Sequence, residues 1–405
     1  MNFSQVTRLI GLVGVITFSH LSFVNAESSK PEVDDSVSIK TDTQQQTYSK
    51  LKLDSSILGE SREVFVHLPE GYDSSEKKYP VLYLLDGDRH FPHAITAESI
   101  LQQESLIPQS IIVAIPNNRG TRTRDLSREK DKFLDFIQNE VIGLIDTQYR
   151  ASQHKTIFGH SMAGYFVMNI LATKPDLFDN YIAASPVIQM SDSELIAKFK
   201  EFSLKPEQGN KSLYLTITDQ AAEGERATDA LNQFVDMMEK KSPDNLSWKY
   251  EFIPNQIHMT TPYLTLYSGL SKVFTDYRMP TYTDYKDYKD RGGMQGLKSY
   301  YAKRAEKYFT STQLPERAVR RLGFVLMDDG HANEAVAILE KNIKQYPESA
   351  GALNALAEGY ENLKQPKKAL QTYKAGLALV EKNSPGNVAY FKRQVERMNT
   401  QVNTK

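Results

Sequence analysis

Two hydrophobic periods divide the chain. Up to about residue 280, short apolar runs and two-residue alternations are separated by turn residues, whereas beyond it apolar positions recur at helical spacing. In the first part, Tyr48 to Leu53 and Arg62 to Leu68 read as strands. Val81 to Leu85, Ser110 to Ile115, His154 to Phe158, Tyr181 to Ala184, Leu213 to Ile217 and Trp248 to Ile253 complete the set. The run Pro80-Val81-Leu82-Tyr83-Leu84-Leu85 has no polar face, which predicts a central strand covered on both sides. Between the fourth and fifth strands, Lys132-Phe133-Leu134-Asp135-Phe136-Ile137, Val141-Ile142 and Leu144-Ile145 have the period of a helix. Such alternation predicts an α/β domain with a mostly parallel central sheet over residues 47–280.

A polar, tyrosine-rich connector follows over 281–296, and helical spacing resumes over 297–400. There a 34-residue offset superimposes Val319 on Leu353, Leu322 on Leu356, Gly323 on Ala357, Leu326 on Tyr360, Ala335 on Ala369 and Leu339 on Tyr373. This small all-α region resembles two tetratricopeptide-type repeats, with Asn387 to Met398 as a capping helix. Two repeats fall short of the ~3 that an independent solenoid needs. They are expected to lean on the preceding helix around Leu297 to Phe309, on the first domain or on another subunit. A structural appendage and a surface for a protein partner or self-association are equally consistent with the pattern.

The N-terminus points to location. Arg8 precedes an apolar stretch from Leu9 to Phe23, broken by Ser19, His20 and Ser22, and Val24-Asn25-Ala26 has the small residues of a signal-peptidase site. Residues 1–26 are therefore expected to be a cleaved leader, with 27–46 a flexible polar lead-in and the mature protein periplasmic or secreted. The apolar stretch is short of the ~20 residues of a spanning helix, so no stable membrane insertion is expected. Absence of cysteine removes a lipoprotein anchor, disulfides, zinc thiolates and a cysteine nucleophile. At 405 residues and 40% hydrophobic, the chain has material for more than one domain. A net charge of −1, with 49 basic residues interspersed among 50 acidic ones, offers no field for nucleic acid.

Candidate chemistry begins where the fifth strand ends. Gly159-His160-Ser161-Met162-Ala163-Gly164 lies between a strand and a helical run, the context of a serine nucleophile elbow. Small residues at 159 and 163 let the chain fold back; the usual glycine is replaced by Ala163. Downstream, His258 follows the last strand across a Pro-Asn turn, where the general base of such an enzyme belongs. The acid is expected in the loop after Leu213 to Ile217, where Asp219, Glu223 and Glu225 all qualify by type. For the oxyanion hole, the backbone N–H of Met162 and, after the close turn at Gly87, that of Asp88 are the candidates.

Other residues receive structural readings. His90 and His93 have a metal-like spacing, but Pro92 is expected to break the helix that would align them, so pocket lining is the reading, with His90 near the reacting group. His160 is expected to pack against the sheet. Arg122 and Arg124 are expected to hold their loop through Asp125.

The stretch from about Arg62 to Tyr277 resembles the putative-esterase branch of the α/β-hydrolases, which contains enterochelin-type siderophore esterases, S-formylglutathione hydrolases and antigen-85-type mycolyltransferases. The resemblance rests on Leu84-Leu85-Asp86-Gly87, Arg122-Thr123-Arg124-Asp125, the serine elbow and Pro254-Asn255-Gln256-Ile257-His258. It is greatest to the periplasmic siderophore-esterase-like enzymes. It implies Glu223 as the acid, although Thr218 stands where relatives often have glycine. It also implies hydrolysis of a small-molecule carboxylic ester through an acyl-enzyme, with neither a metal nor an organic cofactor. An acyltransferase using the same triad and a non-catalytic scaffold using the repeats are the alternative classes.

Overall fold

The computed structural model describes residues 48–117, 120–191, 194–383 and 385–404. The expected leader and lead-in, 1–46, lie outside the described residues. Eight strands form one sheet: β1 (Ser49–Ser55), β2 (Glu60–His67), β3 (Tyr79–Leu85), β4 (Ile111–Ile115), β5 (Ala151–His160), β6 (Asn180–Ala184), β7 (Lys211–Ile217) and β8 (Leu246–Phe252). Their order is β1-β2-β4-β3-β5-β6-β7-β8. β1, β2 and β4 pair antiparallel in succession, and β4, β3, β5, β6, β7 and β8 run parallel. This is the α/β-hydrolase fold with a mostly parallel sheet.

Side-chain alternation along the central strands divides the core into two layers. From β3, Val81, Tyr83 and Leu85 enter the layer shared with Phe133, Phe136 and Ile137 and with the helices Met162–Thr173 and Glu225–Lys241. Leu82 and Leu84 enter the other layer, beneath the helices Gly87–Gln103 and Thr261–Val273. Every residue of β3, β4 and β6 is buried, which explains why β3 and β4 show no polar face, while the polar Asn180 of β6 donates to Thr156 Oγ1 at 3.1 Å. The outermost strand β1 instead carries Lys50 and Lys52, charges suited to an unpaired edge.

The helical region begins with Tyr285–Asp290, whose N-cap Asp284 accepts a hydrogen bond from the Asp287 N–H, and Gly293–Tyr308. Two antiparallel helix pairs follow, Glu316–Asp328 with Ala332–Gln345 and Ala350–Asn362 with Pro366–Asn383, and then Val388–Asn403. Small residues permit the approach: a Cβ added at Gly323 would come within 2.9 Å of the Leu339 side chain. Gly293–Tyr308 serves both layers of structure. Its Leu297 and Tyr301 join the core of the helix pairs, and its Tyr308 packs against the sheet domain beside Phe274 and His154.

Candidate active site

The parallel strands deliver their following residues to one edge of the sheet. β5 ends at His160, and Ser161 turns the chain into the helix Met162–Thr173 with φ 61° and ψ −118°, a conformation strained for any residue with a Cβ. The turn is possible because position 159 is glycine: a Cβ there would lie 2.3 Å from the Ala163 carbonyl oxygen. The Ser161 N–H donates to the Ala184 carbonyl at 2.9 Å, so the strained residue is held from β6.

Three side chains from three elements meet here. Ser161 Oγ lies 2.9 Å from His258 Nε2, and His258 Nδ1–H donates to Glu223 Oε2 at 2.6 Å. Glu223 ends the short helix Gln220–Glu223 after β7, and its carboxylate is nearly fully buried. Its second oxygen accepts from Ser185 Oγ at 2.6 Å, so both carboxylate oxygens have donors. The other two acids are elsewhere: Asp219 accepts from the Asn255 N–H at 2.7 Å, and Glu225 is exposed at the start of the next helix. Thr218, the residue in place of glycine, donates to the Ile253 carbonyl at 2.7 Å and so fastens the strand that leads into the His258 loop.

The two backbone donors named from the sequence also reach this edge. Met162 is the first residue of its helix and Asp88 the second of Gly87–Gln103, positions whose N–H groups have no intrahelical acceptor. β3 and β5 are hydrogen-bonded neighbours with Leu84 opposite Phe158, so the two helix starts emerge side by side. Gly87 is packed against β4, where a Cβ would meet the Ile115 nitrogen at 2.5 Å.

Three readings of neighbouring residues are corrected. Arg122 does not hold Asp125; its Nε and Nη2 clasp Asp86 at 2.7 and 2.8 Å, and Nη2 also reaches the His160 carbonyl at 3.4 Å. It therefore ties the Asp86-Gly87 turn, where Asp86 has φ 50°, to the end of β5. Arg124 does bind Asp125, at 2.7 Å, together with Glu60. Pro92 does not break the helix: Gly87–Gln103 runs through it, although proline at the sixth position cannot make the backbone bond that would reach the Asp88 carbonyl. His90 does not line a pocket. It is fully buried, packed edge-on to Phe158, His93 and His160, with both ring nitrogens unpartnered.

His160 has a role that its position in the sequence did not disclose. Its Nε2–H donates to the His258 carbonyl at 2.9 Å, so the residue before Ser161 holds the backbone of His258. Burial, and then the neighbouring His258, push its pKa down to about 3. Burial likewise takes His90 to about 2 and His93 to about 4, so all three rings are neutral near pH 7. Around the site, Ile257, Met259, Tyr263, Leu264 and Tyr267 are exposed apolar side chains contributed by the His258 loop and the helix after it. Ile257 and Met259 flank His258 in the sequence, which is the signal that could have located this rim.

Fold and constellation together define an α/β-hydrolase with a serine–histidine–glutamate triad. Residues 55–259, about half of the chain, match the Putative esterase family, and the chain belongs to it. It is 27% identical over 168 residues to the ferri-bacillibactin esterase of Bacillus subtilis, covering 34% of this chain and 58% of that protein. It is 28% identical over 166 residues to the siderophore enterobactin esterase of Emericella nidulans, covering 33% of this chain and 54% of that protein. The chain thus spans little more than half the length of these curated relatives. Among solved structures, an IroE-like serine hydrolase from Shewanella oneidensis is 25% identical with a TM-score of 0.56, covering 74% of this chain and all of that one. An uncharacterised protein from Capnocytophaga ochracea, 16% identical with a TM-score of 0.59, shares the fold over 87% of this chain and all of its own.

Proposed function

We propose that the protein is a serine carboxylic-ester hydrolase that works through an acyl-enzyme and takes siderophore-type esters. The observation that carries this reading is the continuous Ser161–His258–Glu223 relay at 2.9 and 2.6 Å. His258 Nε2 takes the hydroxyl proton of Ser161 as Oγ attacks the ester carbonyl, and Glu223 stabilises the imidazolium through Nδ1–H. The N–H groups of Met162 and Asp88 bind the oxyanion that develops on the former carbonyl oxygen. Collapse expels the alcohol, which takes the proton from His258 and leaves the acyl group on Ser161. Water then attacks that ester, giving its proton to His258; Ser161 leaves as the alcohol with a proton returned from His258, and the acid is released.

The siderophore part of the reading is supported by the names of the relatives and by the apolar rim, which suits an ester with aromatic acyl groups. The expected leader supports a periplasmic or secreted site of action. The test is turnover of p-nitrophenyl butyrate and of a triscatecholate lactone by the protein and its Ser161→Ala variant. Loss of both activities in the variant is expected; wild-type turnover by the variant would refute the mechanism. Cleavage of the p-nitrophenyl ester without cleavage of the lactone would remove the siderophore assignment alone.

A further inference from the structure

At the opposite edge of the sheet from the triad, a cavity of about 260 Å³ opens between the sheet domain and the helical region. Lys77 and Lys78 border it from the segment leading into β3, and Arg304 borders it from the helix Gly293–Tyr308. β3 is seven residues long, about 20 Å at ~3.3 Å per residue, and the proposed catalytic residues lie beyond its other end. The cavity therefore does not belong to the catalytic site.

Its composition is one-sided. Three cationic side chains line it and no carboxylate does. Among the described residues, Lys77, Lys78 and Arg304 form no ion pair. Asp276, which touches the lining residue Tyr308, is already taken by Lys307 Nζ at 2.6 Å and by the Tyr308 hydroxyl. Lys77 and Lys78 are exposed and their repulsion is screened by solvent, so what the three cations give the cavity is a positive field that attracts an anion.

The remaining walls say what kind of anion. Arg304 stacks over Tyr277 and Tyr301 at 4.4 and 4.3 Å, which fixes the plane of its guanidinium. Its Nη1 donates to the Tyr277 carbonyl at 3.1 Å, while its Nε is buried without an acceptor. Thr310 Oγ1, also on the lining, is likewise buried without a partner. Both atoms are shielded from water, so they belong to the wall and do not themselves face the cavity. Tyr277, Tyr346 and Phe309 add flat apolar surface to the same cavity.

We infer that this seam is a second ligand site, for a small anion carried on a planar aromatic body, an aryl carboxylate or an aryl phosphate. The anionic group meets Arg304 and the two lysines, and the ring lies among the tyrosines. Because its ligands come from both the sheet domain and the helix that carries Arg304, occupancy clamps the helical region to the sheet.

The experiment is isothermal titration of the full-length Ser161→Ala protein with benzoate, phenyl phosphate and inorganic phosphate, together with melting curves at saturating ligand. Saturable binding of at least one aryl anion is expected, tighter than inorganic phosphate, with a rise in Tm as ligand concentration exceeds Kd. The tighter of the two aryl probes identifies the anionic group. A Lys77→Ala/Lys78→Ala variant, whose exposed substitutions leave the fold intact, is expected to bind about tenfold or more weakly, and Arg304→Gln likewise. The inference is overturned if neither aryl anion binds saturably, if the lysine variant binds as the parent does, or if inorganic phosphate binds as tightly as phenyl phosphate.

Discussion

Replacing His160 with alanine tests whether the residue before the nucleophile positions the base. The imidazole contributes a hydrogen bond to the His258 carbonyl at 2.9 Å and packs with its ring centroid 4.6 Å from that of His258. Removing it leaves a part-buried carbonyl without its donor, at a cost of up to about 1–3 kcal/mol, and opens space beside the base. If most of that cost falls on holding Nε2 against Ser161, kcat drops about 10- to 100-fold, at 1.4 kcal/mol per tenfold. KM should stay within about threefold, because His160 is buried below the rim and offers substrate no surface. His160→Gln supplies an amide donor at a similar reach and should recover most of the rate. Its pKa of about 3 also means that His160 adds no ionisation between pH 5 and 9, so alanine should lower the plateau of the pH profile without adding or removing a limb. Steady-state turnover of p-nitrophenyl butyrate across that range measures all of this. Wild-type kcat in the alanine variant, or equal losses in alanine and glutamine, would refute the positioning argument.

Among the three acids of the β7 loop, Glu223→Gln should reduce kcat by several orders of magnitude with the fold intact, whereas Asp219→Asn should change it little; circular dichroism and turnover of both variants check this. Burial raises Glu98, which accepts from the Ser110 N–H at 2.9 Å, to about 7. A raised folded-state pKa gives a contribution that is full below about 4.5 and lost as pH climbs through 7, so Glu98→Gln should stabilise the protein at pH 8, by about 3 kcal/mol at most, and hardly at pH 4. Denaturant melts at the two pH values would show it, and equal effects at both would contradict it. His154 shows the opposite sign. Stacked against Phe274 and Tyr308 with neither ring nitrogen hydrogen-bonded, it is lowered by burial to about 4 despite Asp179 at 3.9 Å. Its contribution is full above 6.5 and lost as pH falls toward 4, and His154→Phe should reduce the loss of Tm over that interval.

What the sequence determined by itself was whatever depends on local period and chain order. An unbroken apolar run placed β3 at the centre because a strand covered on both faces rarely admits a polar side chain. The elbow at Ser161 was legible because only small residues permit that reversal, and His258 because it follows the last strand. The acid was not legible from the residues: Asp219, Glu223 and Glu225 differ only in which way the loop turns them, and resemblance pointed to the one that the fold brings to His258 Nδ1. Pairings across large separations were equally hidden. That Arg122 clasps Asp86 and not Asp125, and that His160 reaches the backbone of residue 258, follows from β3 and β5 lying side by side with a loop folded over their ends. The cationic seam belongs to the same class, since Lys77, Lys78 and Arg304 are ordinary surface residues in sequence. Only the packing of the helix Gly293–Tyr308 on the start of β3 gathers them, because charge and hydrogen-bonding demand are properties of places in the fold, which local patterns do not encode.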